Sequence, residues 1–320
     1  MKIAILDDYQ DVVKTLDCFQ LLNGHEVMVL NDTEKDPELL AAKLKDVEAL
    51  VLIRERTVIT KELLKHLPQL KLISQTGKIA GHLDIEACNH YKVAIAEGVG
   101  SPIAPAELTW LLIMNTLRQL PNAIADMKEG KWQTNMGTSV YGKTVGIWGY
   151  GKIGKMVANY AKAFGAKVMV WGSEQSRTNA IADGFESAQS KADFFQRADV
   201  VTLHLRLNKN TAGIVSANDL SLMKTTSVLV NTARAELIEA GALQKCLKAG
   251  RPGFAGIDVY EDEPIKNANF ELLTMPNVVC TPHLGYVEKN SYELYFGKAF
   301  ENIANYSKGE ATNILNPEVL

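Results

Sequence analysis

The chain has 320 residues, enough for two domains that each bury an apolar interior. Hydrophobic residues make up 47% and charged residues 22%, and the formal net charge is -3. That balance is ordinary for a globular enzyme, and it gives no electrostatic case for nucleic acid or an anionic membrane as the main partner. Of the four cysteines, Cys18, Cys88, Cys246 and Cys280, none sits in a C-x-x-C pair. Neither a metal site nor a disulfide framework is expected, and free thiols suit a reducing compartment.

The first hundred residues alternate short β-rich runs with helical patterns. Strands are predicted at residues 3–6, 26–30, 49–53, 70–73 and 93–95, with helices at 37–45 and 61–67. That alternation argues for a parallel sheet with covering helices. The opening apolar run is too short for a signal peptide, so a cytoplasmic protein is expected. Gly98-Val99-Gly100-Ser101-Pro102 reads as a hinge, and Pro105 suits the first turn of a long helix over 106–119. Thr109, Asn115 and Thr116 interrupt its apolar run, far below the ~18 residues of a membrane span.

A second alternating series follows. Strands are predicted at 144–148, 167–171, 200–203, 227–231, 253–257 and 277–280, and helices at 153–164 and 235–249. The count suits a six-stranded doubly wound sheet. An aromatic helix carrying Tyr292, Tyr295, Phe296 and Phe300 is expected to return to the first domain.

Gly149-Tyr150-Gly151-Lys152-Ile153-Gly154 is a G-x-G-x-x-G run placed directly between a strand and a helix. Gly149 permits the tight turn, Gly151 lets backbone approach a pyrophosphate, and Gly154 lets helix and strand pack closely. The N–H groups opening the helix, at Lys152 and Ile153, would face the phosphates. The carboxylate that holds an adenosine ribose is expected about 20 residues on. Gly172 stands there instead, followed by Ser173, Glu174 and Arg177. Ser173 could bond a ribose hydroxyl or a 2′-phosphate, Arg177 could pair with a 2′-phosphate, and Glu174 could take the acid's role. Either NAD or NADP is therefore expected, with NADP tolerated.

Three further segments follow strands: Asn231-Thr232-Ala233-Arg234, Asp258-Val259-Tyr260-Glu261-Asp262-Glu263-Pro264, and Thr281-Pro282-His283-Leu284-Gly285. In open α/β sheets, ligands bind beyond the carboxyl ends of strands, so an arginine, an acid and a histidine can converge there. With the glycine turn, these segments make the sequence resemble the D-isomer-specific 2-hydroxyacid dehydrogenases over nearly its whole length. The resemblance implies an α/β protein of two doubly wound parallel-sheet domains. A Rossmann dinucleotide-binding domain (102–286) would be inserted into a flavodoxin-like substrate domain (1–101 and 287–320). It implies that Arg234 binds the substrate carboxylate, His283 is the acid/base and Glu263 pairs with it. Asp258 would hold the nicotinamide carboxamide, with further cofactor contacts from His204, Thr211, Thr232, Ala233 and Gly285.

The chemistry agrees. A planar guanidinium grips a carboxylate with two parallel bonds. Histidine titrates nearest neutrality, and a neighbouring carboxylate fixes its orientation. The Thr76-Gly77-Lys78 turn looks like the family's anion-binding loop. Arg54 and Arg56 follow another strand and could reach a distal phosphate or pair with Glu55. Arg54, Arg56 and Lys78 together would favour a phosphorylated acid. The substrate is thus expected to be a small 2-hydroxy or 2-oxo acid, either 3-phosphoglycerate or glyoxylate/hydroxypyruvate. With the sequence ending at Leu320, no appended regulatory domain is expected. Arg206 departs from the family's usual proline and bears on the loop near the nicotinamide ribose. A rival reading is an NAD(H)-sensing corepressor-like binding protein of the same fold. A homodimer is the family's usual assembly, and Trp110 through Trp132 could supply its interface.

Overall fold

The structure is a computed structural model that describes all 320 residues. The chain divides into two compact units, residues 1–101 with 288–320, and residues 102–287.

The first unit carries a five-stranded, wholly parallel sheet. Its strands are β1 (Lys2–Ile5), β2 (Glu26–Val29), β3 (Ala49–Leu52), β4 (Leu72–Gln75) and β5 (Ala94–Ala96), in the order β2-β1-β3-β4-β5. That is the flavodoxin-like order, with its reversal between β1 and β3. Covering helices bury both faces of the sheet, so β3 and β4 read as continuous apolar runs. Helices Pro37–Leu44, Lys61–Lys65 and Ile85–His90 each begin on a capping side chain, Asp36, Thr60 and Asp84.

Strand β4 sits two residues later than the pattern predicts. Leu70 N–H closes the preceding turn on the Leu67 carbonyl and Lys71 N–H bonds the Glu48 carbonyl, while the polar Ser74 and Gln75 continue the strand. Both are fully buried because each has a partner: Ser74 Oγ donates to the Ala299 carbonyl at 2.8 Å, and Gln75 Nε2 to the Arg54 carbonyl at 2.8 Å. The aromatic helix runs from Lys289 to Ser307 and belongs to this unit. It buries Tyr292, Tyr295, Phe296 and Phe300, and its Glu293 carboxylate accepts the N–H groups of Asp17 and Cys18.

The second unit carries seven parallel strands. They are β6 (Thr144–Trp148), β7 (Lys167–Trp171), β8 (Glu186–Ser187), β9 (Val200–Leu203), β10 (Val228–Asn231), β11 (Phe254–Ile257) and β12 (Val278–Cys280). Their order, β12-β11-β10-β9-β6-β7-β8, places the doubly wound reversal between β6 and β9. The strand beyond the six expected is β8, a two-residue edge strand beside Met169 and Val170. Two residues carry no periodicity to read.

The continuous helix expected over 235–249 is broken. A short 3-10 turn spans Ala235–Leu237 and the α-helix spans Ala242–Lys248. Between them Ile238 bridges to Val215, which draws the chain into an extended path, and Gly241 turns it back at φ +71°. The linking helix runs from Ile103 to Arg118 and packs on β10 and β11. A Cβ on Gly256 would meet Thr116 Oγ1 at 3.0 Å and Leu112 Cβ at 3.3 Å, so glycine permits that approach. No helix is long and apolar enough to cross a membrane.

Candidate active site

Strands β10, β11 and β12 are adjacent and in register, with Asn231 opposite Ile257 and Ile257 opposite Cys280. Arg234, Glu263 and His283 all follow the carboxyl ends of this trio, on one edge of the second unit. Asn231 shapes the first turn: its Oδ1 accepts from Ala233 N–H at 3.0 Å and its Nδ2 donates to the Arg234 carbonyl at 2.8 Å. The half-buried Arg234 donates from Nη1 to the Ala233 carbonyl at 2.6 Å.

Glu263 and His283 meet directly. Glu263 Oε2 lies 2.6 Å from His283 Nδ1, and Oε1 accepts the Tyr260 N–H at 2.9 Å. An ionised carboxylate has no proton to give, so Nδ1 is the donor and Nε2 is left to exchange protons with a ligand. The ring is braced edge-on against Tyr286, with centroids 5.4 Å apart.

The residue that sets this geometry is Asp258, which is fully buried. Its Oδ1 accepts from Thr281 Oγ1 and Leu284 N–H, both at 2.7 Å, and its Oδ2 accepts from Gly285 N–H at 2.9 Å. Burial pushes the Asp258 carboxyl up, and these donors together with the nearby His283 pull it back. His283 sits at φ +53°, a left-handed backbone that costs roughly 1–2 kcal/mol. Three hydrogen bonds to a carboxylate, each worth about 1.5 kcal/mol or more, outweigh that strain and hold the loop. Asp258, expected from the sequence at the nicotinamide carboxamide, thus also braces the histidine loop, a role that no sequence motif signals. Nor does one signal Tyr260, whose hydroxyl donates to the Thr281 carbonyl at 2.9 Å and ties β11 to the histidine loop.

The glycine turn has the shape its spacing predicts. Gly149, at φ +103°, packs on the His204 carbonyl, which an added Cβ would meet at 2.6 Å. A Cβ on Gly154 would lie 2.1 Å from the Gly149 carbonyl. Gly151 differs: nothing lies within 4 Å of its Cβ position, and it opens helix Lys152–Ala163, which no side chain caps. A tight turn with an open outer face and an uncapped helix N-terminus fits a dinucleotide pyrophosphate. The Thr232 hydroxyl lies 2.7 Å from that of Thr109 on the linking helix. Thr211, expected among the cofactor contacts, turns its hydroxyl inward: it donates to the Arg206 carbonyl at 2.7 Å and accepts from Asn208 N–H at 2.8 Å, closing the loop around the exposed Arg206.

His204 follows β9 with its ring half-buried and Nε2 3.1 Å from Thr202 Oγ1. Burial lowers its pKa from 6.5 to about 4. Below pH 6.5 the unfolded chain therefore binds a proton that the folded chain refuses until about pH 4. Stability from this group is level above neutrality and falls as pH drops through that window. In urea unfolding at pH 7 and pH 5, His204→Asn should show a smaller loss on acidification than the parent. An equal loss in both would assign the pH dependence elsewhere.

In the first unit, Arg54 (φ +55°), Thr76, Gly77 and Lys78 gather at the carboxyl ends of β3 and β4. The Arg54 guanidinium covers Gly77 so closely that an added Cβ would meet Nη1 at 2.0 Å. Thr76 Oγ1 accepts from Arg54 N–H at 3.1 Å and donates to the Leu52 carbonyl at 2.9 Å. Lys78 is paired with Glu97 at 2.7 Å, and Arg54 lies 4.0 Å from Glu55. Arg56 does not join them. Its guanidinium donates to the Asp7 carbonyl at 2.7 Å and lies 4.3 Å from the centre of the Tyr9 ring, so it holds the loop after β1. Of the three cations read as favouring a phosphorylated acid, Arg56 is tethered to the loop after β1, while Lys78 and Arg54 lie beside carboxylates, Arg54 beside the Glu55 partner that the sequence also offers.

Comparison with known proteins gives a consistent answer. Residues 110–285 match the family model described as D-isomer specific 2-hydroxyacid dehydrogenase, NAD binding domain. The chain is 33% identical to the D-3-phosphoglycerate dehydrogenase of Methanocaldococcus jannaschii over 99% of its own length, but spans only 59% of that protein. It is 32% identical to the glyoxylate reductase of Thermococcus litoralis over 92% of both chains. A crystal structure from Ralstonia solanacearum, described as a putative D-3-phosphoglycerate dehydrogenase oxidoreductase, superimposes with a TM-score of 0.97 at 51% identity, covering 100% of this chain and 98% of that one. With the glycine turn and the Glu263–His283 pair in place, the chain belongs to the D-isomer-specific 2-hydroxyacid dehydrogenases, a family of nicotinamide-dependent oxidoreductases.

Proposed function

We propose that this chain catalyses reversible reduction of a small 2-oxo acid to the D-2-hydroxy acid. The observation that carries the reading is the 2.6 Å Glu263–His283 contact on the strand trio that also presents Arg234. NAD(P)H bound along the glycine turn supplies the hydride. Arg234 grips the substrate carboxylate through its planar fork. His283 Nε2 gives its proton to the developing alkoxide oxygen, or takes it back in oxidation. Glu263 fixes the ring through Nδ1 and complements its cationic form. Arg234 and the protonated imidazole both polarise the 2-oxo group as negative charge builds on oxygen. Asp258 and Gly285 hold the histidine loop rather than touch the reacting atoms.

Arg54 with the Thr76-Gly77-Lys78 turn is the first unit's candidate for recognising the substrate anion. The pairing of Lys78 with Glu97 and the tethering of Arg56 favour a compact, unphosphorylated acid such as glyoxylate or hydroxypyruvate. The names of the relatives point to both substrate classes. Steady-state rates with glyoxylate, hydroxypyruvate and 3-phosphohydroxypyruvate decide between them. The expected result is a kcat/KM at least about tenfold higher for an unphosphorylated acid, since a phosphate meeting compensated cations gains little. A preference for the phosphorylated acid reverses the substrate assignment, and no turnover on any 2-oxo acid removes the enzyme reading.

The working unit is proposed to be a homodimer in the cytoplasm. Helix Leu120–Lys128 buries none of its residues, and Leu120, Ile124 and Met127 form one exposed apolar face. Trp132, Met136 and Tyr141 follow, also exposed. An apolar run of this extent marks an association surface, and a second copy is the commonest occupant. Sedimentation of the chain at the monomer mass would refute it. The four unpaired thiols, two of them (Cys18 and Cys88) pushed up to about 12 by burial, fit a reducing compartment.

A further inference from the structure

The end of β7 departs most from an NAD site. The residue after Trp171 is Gly172 at φ +151°, a backbone that L side chains rarely adopt. A Cβ there would lie 3.3 Å from Ser176 Cβ. The position that carries a ribose-binding carboxylate in an NAD site is thus strained for one by its backbone and crowded by Ser176. Glu174 does not make up the loss with a bond into this cluster. It is the exposed first residue of helix Glu174–Ala182 and pairs with no cation, Arg177 included.

What the site offers instead is positive and hydroxylic. Ser173 caps the helix, with its Oγ 3.3 Å from Ser176 N and 3.1 Å from Ser176 Oγ. Arg177, half-buried, lies with its guanidinium 5.0 Å from the centre of the Trp171 ring, and its buried Nε has no hydrogen-bond partner. It has no carboxylate partner either. A guanidinium laid on an indole keeps its in-plane donors for a planar or tetrahedral oxyanion.

The cluster is also fixed relative to the phosphate turn at two points. Gly149 N–H donates to the Trp171 carbonyl at 3.1 Å. Asp183, which ends the same helix, accepts from the Tyr150 hydroxyl and from Lys155 Nζ, both at 2.9 Å. Tyr150 is itself the second residue of the glycine turn. Arg177 therefore stands at a set distance from the place where the pyrophosphate binds, and the adenosine ribose lies one bond further along the dinucleotide.

We propose that Arg177, stacked on Trp171 and flanked by Ser173 and Ser176, reads the 2′-phosphate of the adenosine ribose, making this chain selective for NADP(H) over NAD(H). The inference rests on the dinucleotide site proposed above and not on the identity of the 2-oxo acid. Its test is binding, not turnover. Calorimetric titration of the whole chain with NADPH, NADH, adenosine 2′,5′-bisphosphate and 5′-AMP should show each 2′-phosphorylated ligand bound at least about tenfold tighter than its unphosphorylated partner, with the margin shrinking as salt rises. Arg177→Gln should reduce that margin to about twofold or less, and Arg177→Lys, which keeps the charge but not the fork, should retain part of it. Equal or tighter binding of NADH by the parent chain overturns the proposal. So does an unchanged margin in Arg177→Gln. Should the parent discriminate as expected yet reduce no 2-oxo acid, the cofactor inference stands and the enzymatic reading fails. The measurements on the parent need no variant, so they decide even if substitution at Arg177 impairs folding.

Discussion

His283→Asn lowers kcat by about three to four orders of magnitude, the usual range for removing a positioned acid/base, and leaves the cofactor dissociation constant within about twofold. Asparagine is the informative substitution because residue 283 sits at φ +53°, a backbone that asparagine adopts almost as readily as histidine does. It is shorter and uncharged, so the loop held by Asp258 keeps its shape while the proton carrier is gone. Glu263→Gln should fall between the two. A glutamine can still accept the Tyr260 N–H, but it complements an imidazolium poorly, so a loss of about 10- to 100-fold is expected, greater for reduction than for oxidation. Rapid-mixing measurements of hydride transfer, with thermal melts to show that each variant is folded, separate these cases. A His283→Asn enzyme that retains a tenth of its turnover would place the acid/base elsewhere.

How much of this site could be read beforehand depends on where each signal resides. The glycine turn is a local signal: three glycines between an apolar strand and a helix define one backbone path, and Gly149, Gly151 and Gly154 take the positions their spacing requires. Arg234, Glu263 and His283 could be named as residues just past strands, but their meeting depends on β10, β11 and β12 being neighbours. Strand order follows from crossover connections that leave no periodic trace. Asp258 shows the limit. Its identity was visible, but its bonds to Thr281, Leu284 and Gly285 span more than 20 residues and involve backbone N–H groups that every sequence possesses. Arg56 shows the converse: an arginine after a strand looks like a ligand-binding residue, and the Asp7 carbonyl and Tyr9 ring that hold it come from another crossover. The end of β4 is hidden from pattern reading because Ser74 and Gln75 are polar and are accommodated in the sheet only by buried partners from distant segments.

Arg234→Lys tests the remaining member of the set and should lower kcat/KM for the 2-oxo acid by about 10²- to 10³-fold, with KM rising more than kcat falls. The substitution keeps the charge. What it removes is the planar fork, so a large effect shows that geometry rather than charge carries the grip. The backbone should tolerate the change. Residue 234 is extended, at φ -150° and ψ 141°, and its carbonyl is held by Asn231 Nδ2, which keeps the turn when the Nη1 bond to the Ala233 carbonyl is lost. A neutral 2-oxo amide supplies the control. It lacks the second carboxylate oxygen, so the parent enzyme should reduce it poorly, and Arg234→Lys should worsen that rate far less than the rate with the acid. If the variant penalised acid and amide equally, Arg234 would be acting on the 2-oxo oxygen or on the loop, and the carboxylate would have to be bound by another cation.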